Sequence, residues 1–188
     1  MKSFLSVIIC LCWLIPVKAS DTTDLPDAKL IQQIDIIRKT TAEFKKDGLD
    51  TLRGNNNFPV LTELGKVKLG MSYDNLINIL GKPGSENQEY NDLILTYVVE
   101  GAKLLKIGLN KSGKVDYIVT NSRRFKIPNS LYVDLSVSQF ENMYGTRRYR
   151  KTQRFGLSED LLIYPLSNLC LVVNPDTQVV KMIMINRN

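Results

Sequence analysis

Residues 69 to 81 read Leu69-Gly-Met-Ser-Tyr-Asp-Asn-Leu-Ile-Asn-Ile-Leu-Gly81, and 64 positions on stands Val133-Asp-Leu-Ser-Val-Ser-Gln-Phe-Glu-Asn-Met-Tyr-Gly145. Laid over each other, Ser72 meets Ser136, Gly81 meets Gly145, and apolar residues coincide at 71/135, 76/140, 79/143 and 80/144. The same offset aligns Leu105-Lys-Ile-Gly-Leu-Asn110 with Leu169-Cys-Leu-Val-Val-Asn174, and Val115 with Val179. One offset serving two separate blocks points to an internal repeat.

Each copy predicts the same local structure. Ser72 and Ser136 are suited to cap short helices, and Gln139, three residues past Ser136, completes a capping box. Gly81 and Gly145 stop those helices in a left-handed conformation that a side chain resists. Strands are expected at 93–100, 103–110 and 115–120, and again at 161–166, 169–173 and 178–185, with turns at Gly101-Ala102, Lys111–Lys114 and Pro175–Thr177. Ahead of both copies, Leu30, Ile34, Ile37 and Phe44 form an amphipathic helical stripe across 27–46, with Pro26 near its start and Gly48 past its end. Such a stripe either docks a partner or packs on the chain's own sheet. The expected fold is α+β: two tandem helix-plus-antiparallel-sheet repeats, preceded by an N-terminal amphipathic helix. Its divisions are a signal peptide at 1–19, tail, helix and linker at 20–58, one repeat at 59–126 and a second at 127–188.

The string Lys68-Leu-Gly-Met-Ser-Tyr-Asp-Asn-Leu-Ile-Asn-Ile-Leu-Gly-Lys-Pro83, followed by a strand hairpin, resembles the signature of the SmpA/OmlA (BamE) outer-membrane lipoproteins. That family is similar in fold to the tandem halves of β-lactamase inhibitory protein. The resemblance covers 67–121 well and 133–186 more loosely, with Asp134-Leu135-Ser136 standing where the first copy has Gly70-Met71-Ser72. It implies a non-enzymatic, protein-binding role, and for the tandem arrangement a shape in which two sheets line up to form a concave face. The family's lipid-accepting cysteine and the inhibitor's disulfides are both missing here.

The N-terminus has the parts of a secretory signal: Lys2, an apolar run from Phe4 to Ile15, and Val17-Lys18-Ala19 before Ser20. Pro16 and Lys18 interrupt the run before it reaches the roughly 20 apolar residues of a membrane span. Cleavage after Ala19 would remove Lys2 and Lys18 and lower the net charge of the 188-residue chain from +6 to +4. It would also remove Cys10 and Cys12, leaving Cys170 without an intramolecular partner, in an apolar run that suits a small buried hydrophobe better than a reactive thiol. The expected location is periplasmic or secreted, without a lipid anchor.

The chain contains no histidine, which excludes imidazole-based triads, zinc sites and proton relays. No cofactor is expected. The densest charge is Arg147-Arg148-Tyr149-Arg150-Lys151-Thr152-Gln153-Arg154, at the expected first strand of the second copy. Arg123 and Arg124, with Lys126, form a second basic group that a rough twofold could bring to the same surface. These cations would meet an acidic protein partner or an anionic envelope surface, or else guard a sheet edge against aggregation. Nucleic acid is not expected for an exported protein.

Glu86, Glu89, Asp92, Glu100, Glu159 and Asp160 are carboxylates a histidine-free hydrolase could use, but no motif frames them. The expected function is therefore an exported, non-catalytic protein-binding module, of inhibitor or immunity type. The alternative is an envelope assembly or maintenance factor, and a histidine-free hydrolase would require two carboxylates converging in one pocket.

Overall fold

The computed structural model describes residues 27–46, 59–144, 150–155 and 159–187. The expected signal peptide at 1–19, the 54–58 part of the expected linker, Gly145 and Arg147 to Tyr149 lie outside them. No helix among the described residues is long and apolar enough to cross a membrane.

The fold is α+β. Helix α1 (Asp27–Lys46) precedes a small hairpin, β1 (Glu63–Leu64) and β2 (Val67–Lys68), whose turn uses Gly65 at φ 62°. Then come α2 (Tyr73–Leu80), β3 (Ser85–Glu89), β4 (Asp92–Glu100), β5 (Lys103–Leu109) and β6 (Val115–Thr120). After a connection that includes a 3-10 turn at Pro128–Ser130 come α3 (Val137–Tyr144), β7 (Arg150–Phe155), β8 (Glu159–Tyr164), β9 (Leu169–Asn174) and β10 (Val179–Asn186). The eight longer strands make one antiparallel sheet in the order β3-β4-β5-β6-β10-β9-β8-β7.

The helix signals act as local chemistry predicts. Ser72 Oγ accepts from the Asn75 N–H at 3.5 Å, and Gly81, at φ 79°, donates its N–H to the Ile77 carbonyl at 2.8 Å. At α3 the Ser136 N–H donates to Gln139 Oε1 at 3.0 Å. Strand β3 went unforeseen because Ser-Glu-Asn-Gln-Glu has no apolar alternation. It is held by pairing to β4, from Ser85↔Thr96 to Glu89↔Asp92.

The order of a helix followed by four antiparallel strands occurs twice, and detailed bonds recur with it. Gly70 N–H donates to Val115 O and Val115 N–H to Met71 O, at 2.7 and 2.8 Å. In the second half Asp134 N–H donates to Val180 O and Val180 N–H to Leu135 O, at 2.7 and 2.9 Å. Gly70 and Asp134 both take positive φ, at 82° and 69°. The structural counterpart of Val115 is thus Val180 rather than Val179. The turn after Asn174 holds one residue more than the turn after Asn110, and each asparagine Oδ1 accepts two turn N–H groups. The halves meet where β6 pairs with β10, Val119 facing Met184.

Side chains alternate across the sheet into two cores. On one face α2 and α3 supply Leu76, Val137, Phe140 and Tyr144 to a core with Leu105, Ile107, Ile118, Leu171, Ile183 and Ile185. On the other face Leu30, Ile34 and Ile37 of α1 cover Tyr117, Val119, Ile163, Cys170, Val172 and Met184. Burying three such side chains contributes about 1.5–3 kcal/mol each. The stripe therefore packs on the chain's own sheet, and this corrects the expectation of an open concave face. A helix with a 20-residue reach and an apolar stripe finds its nearest apolar surface there. Cys170 is fully buried beneath α1, and burial pushes its thiol up from its ordinary value, as an inert core residue requires.

The N-terminal end of α1 is tied to the first half of the sheet. Asp27 accepts from Lys106 Nζ at 2.9 Å and from Asn87 Nδ2 at 2.8 Å. The carboxylate also sits in the first turn, where the helix dipole favours it.

Candidate functional site

The basic segment enters the described structure at Arg150. Arg150, Lys151 and Arg154 all belong to β7, the last strand of the sheet, paired from Arg150↔Ile163 to Phe155↔Glu159 with a bulge between Lys151 and Gln153. Among the described residues β8 is its only strand neighbour. Arg147, Arg148 and Tyr149 lie outside the described residues.

Arg123 and Arg124 follow β6 and are exposed. Arg123 Nε donates to Asp134 Oδ2 at 2.7 Å, which raises its already high basicity further. The Arg124 N–H donates to Ser122 Oγ, and Lys126 stands 5.5 Å from the Tyr132 ring centroid. Between β6 and β7 lie β10, β9 and β8, four strand spacings or about 19 Å. Because neighbours alternate in direction, β6 and β7 run the same way. Arg150, at the start of β7, is thus at the opposite end of the sheet from Arg123, and the fold does not gather the two basic groups at one point.

A different site forms where α1 crosses the sheet end that carries the start of β4, the end of β5, the start of β6 and the residue after β10. A cleft of about 690 Å³ is lined there by Arg38 and Thr41 of α1, Asn91, Asp92, Asn110, Asp116 and Arg187. A second space of about 710 Å³ continues along α1 past Tyr90 and shares Arg38, Asn91 and Asp92 with it. Tyr90, in the β3–β4 turn at φ 52°, is 82% exposed at its lip.

The cleft's charges are unequal. Arg38 Nη2 donates to Asp116 Oδ2, and its Nη1 lies 3.6 Å from Asp35, so Asp116 has a direct cationic partner. Asp92 has no such ion pair among the described residues. Burial raises its carboxyl above the ordinary value, with Arg38 pulling down and Asp116 and Asp35 pushing up. Of these residues the sequence reading singled out Asp92 alone. Arg38 and Asp116 stand 78 positions apart, in a helix and a strand with no motif linking them, so no sequence signal could have joined them. Among the described residues no three histidine, cysteine, aspartate or glutamate side chains group closely enough to hold a metal ion.

No family model matches the chain, and no curated protein matches it in sequence. Among solved structures it is similar to an extracellular protein containing an SCP domain from Bacillus anthracis, at 15% identity and a TM-score of 0.48, over 64% of this chain and 44% of that one. It is similar to a cysteine-rich secretory protein from Staphylococcus aureus at 9% identity and a TM-score of 0.49, over 69% and 48%. A DUF4309 family protein from Bacillus subtilis gives 12% identity and a TM-score of 0.44, over 62% and 78%. The chain covers less than half of the first two, and likenesses this slight carry no function across.

These findings overturn the expected membership among SmpA/OmlA (BamE) or β-lactamase inhibitory proteins: no such family model matches, and the similar structures bear other names. The physical reason lies in the string that carried the resemblance. A serine cap, a two-turn helix, a glycine stop and a proline form a local device for ending a helix before a hairpin. It does not specify how the strands beyond it assemble.

Proposed function

We propose that this chain is an exported, non-catalytic protein-binding module, built by duplication of a helix-plus-four-strand unit and meeting an acidic partner through its basic edge strand. The observation that carries the reading is the position of Arg150, Lys151 and Arg154 on β7, at the end of the sheet. A terminal strand offers backbone N–H and C=O groups to a partner strand, and its cations select an acidic one. The paired bonds of Gly70 with Val115 and of Asp134 with Val180 support the duplication. So does the pairing of Val119 with Met184, which are counterparts under the same correspondence that relates Val115 to Val180.

The test is secretion from a bacterial host followed by affinity capture from envelope and culture-medium fractions, comparing the wild type with an Arg148→Glu/Arg150→Glu variant. A partner captured by the wild type and lost from the variant is the expected result. Capture unchanged by the charge reversal overturns the role of the basic strand, and a chain retained whole in the cytoplasm overturns export.

One observation favours a second reading, a histidine-free hydrolase. Asp92 and Asp116 line one cleft in unlike settings, one raised by burial and the other paired to Arg38, as an acid and a base in glycoside hydrolysis must be. Hydrolysis of a cell-wall glycan that disappears in both Asp92→Asn and Asp116→Asn would establish it. Equal rates in wild type and variants exclude it.

A further inference from the structure

The two ends of the sheet carry opposite charge. Strand β3, Ser85-Glu-Asn-Gln-Glu89, has two carboxylates and no cation, and four of its five residues are exposed. Strand β7, Arg150-Lys-Thr-Gln-Arg-Phe155, has three cations and no carboxylate. These strands occupy the same place in the two halves, each as the first after its helix and each paired on one side among the described residues. The halves agree in topology and differ in the sign of their edges.

We propose that copies of this chain associate head to tail, β7 of one pairing with β3 of the next to continue the sheet. Three observations lead there. Charge comes first: β7 beside β7, or β3 beside β3, sets like charges across a strand pair, which is destabilising, whereas β7 beside β3 sets opposite ones together. Each edge is thereby guarded against its own kind and open to the other.

Direction is the second. With eight strands in strict antiparallel alternation, the first and last run in opposite directions. A copy displaced sideways without being turned over therefore brings its β3 antiparallel to β7. With the strands fully overlapped, Glu89 falls opposite Arg150 or Lys151, and Glu86 opposite Gln153 or Arg154.

The third is an orphaned acceptor. Glu89 Oε2 is out of solvent and accepts no hydrogen bond among the described residues. A buried carboxylate oxygen without a donor is costly, and a cation arriving on the next strand would relieve it. The contact joins two different patches, so it is heterologous and extends into open chains unless the sheet twist closes a ring.

The inference rests on the reading of β7 as a contact surface and names a second copy as its occupant. Its test is sedimentation velocity on the secreted chain over a concentration series at low and high salt, with two variants, Glu86→Lys/Glu89→Lys and Arg150→Glu/Arg154→Glu. The wild type is expected to associate at low salt and dissociate at high salt. Each variant, now like-charged at both edges, should be monomeric alone, and mixing the two should restore association, which also shows that both are folded. A wild type that stays monomeric at low salt up to millimolar concentration overturns the inference, as do variants that fail to associate on mixing. If the wild type is monomeric and Arg148→Glu/Arg150→Glu still loses a foreign partner, head-to-tail pairing falls while the binding function stands.

Discussion

The ring of Tyr117 packs against Gly108, its partner on the neighbouring strand, so close that a Cβ on Gly108 would stand 2.0 Å from Tyr117 Cζ. Tyr117 is fully buried beneath α1, held between the sheet and the stripe of Leu30, Ile34 and Ile37. In the second half Val172 pairs with Met182, so the same face is filled there by two side chains of middling size.

Gly108→Ala should therefore destabilise the fold by about 3 kcal/mol, the upper range for overpacking, because the ring cannot retreat without lifting α1. Gly108→Ala combined with Tyr117→Met, which imitates the second half, should recover more than half of that loss. Urea unfolding of the three proteins decides it. A Gly108→Ala chain as stable as the wild type would contradict the close approach.

The anchor of α1 makes a second prediction. The Asp27 and Lys106 side chains are each only 12% exposed and meet at 2.9 Å. Removing one partner leaves the other charge poorly solvated, so Asp27→Asn or Lys106→Met should each cost about 2–3 kcal/mol. The double variant should cost clearly less than the sum, as neighbours in one interaction do. Additive losses in thermal unfolding would show that the pair is not coupled.

Gln33 is buried on α1, with neither its amide nitrogen nor its oxygen hydrogen-bonded among the described residues. Gln33→Met keeps the length and removes the unsatisfied groups, so it should raise stability by about 1 kcal/mol. A fall in the melting temperature would mean that the amide is satisfied in solution.

Tyrosine ionisation supplies an alkaline limit. Burial pushes Tyr97 and Tyr144 each up to about 12 from an ordinary value of 10, and raises Tyr117 as well. In the unfolded chain these phenols ionise near 10. Their contribution is thus fully present below pH 10 and is lost as pH rises toward 12. Phenolate absorbance at rising pH should show a late group of the eight tyrosines ionising together with loss of secondary structure. Eight tyrosines titrating near pH 10 in a folded chain would refute this burial.

What the sequence alone determined is local. Ser72, Gln139 and Gly81 marked helix ends, and the apolar pattern marked six strands, because capping and burial on one face depend on neighbours a few positions away. The stripe at Leu30, Ile34 and Ile37 and the apolar run around Cys170 were legible for the same reason. Only the tertiary structure decided which strands pair. It alone set Val119 against Met184, made β3 out of five polar residues, put opposite charges at the two ends of one sheet, and brought Arg38 to Asp116. Strand order is fixed by the energy of the whole sheet and its two covering layers, and a polar edge strand has no apolar pattern of its own to announce it. The string at 68–83 shows both sides: it specified a capped helix and its stop correctly, and was silent on the assembly that distinguishes one α+β fold from another.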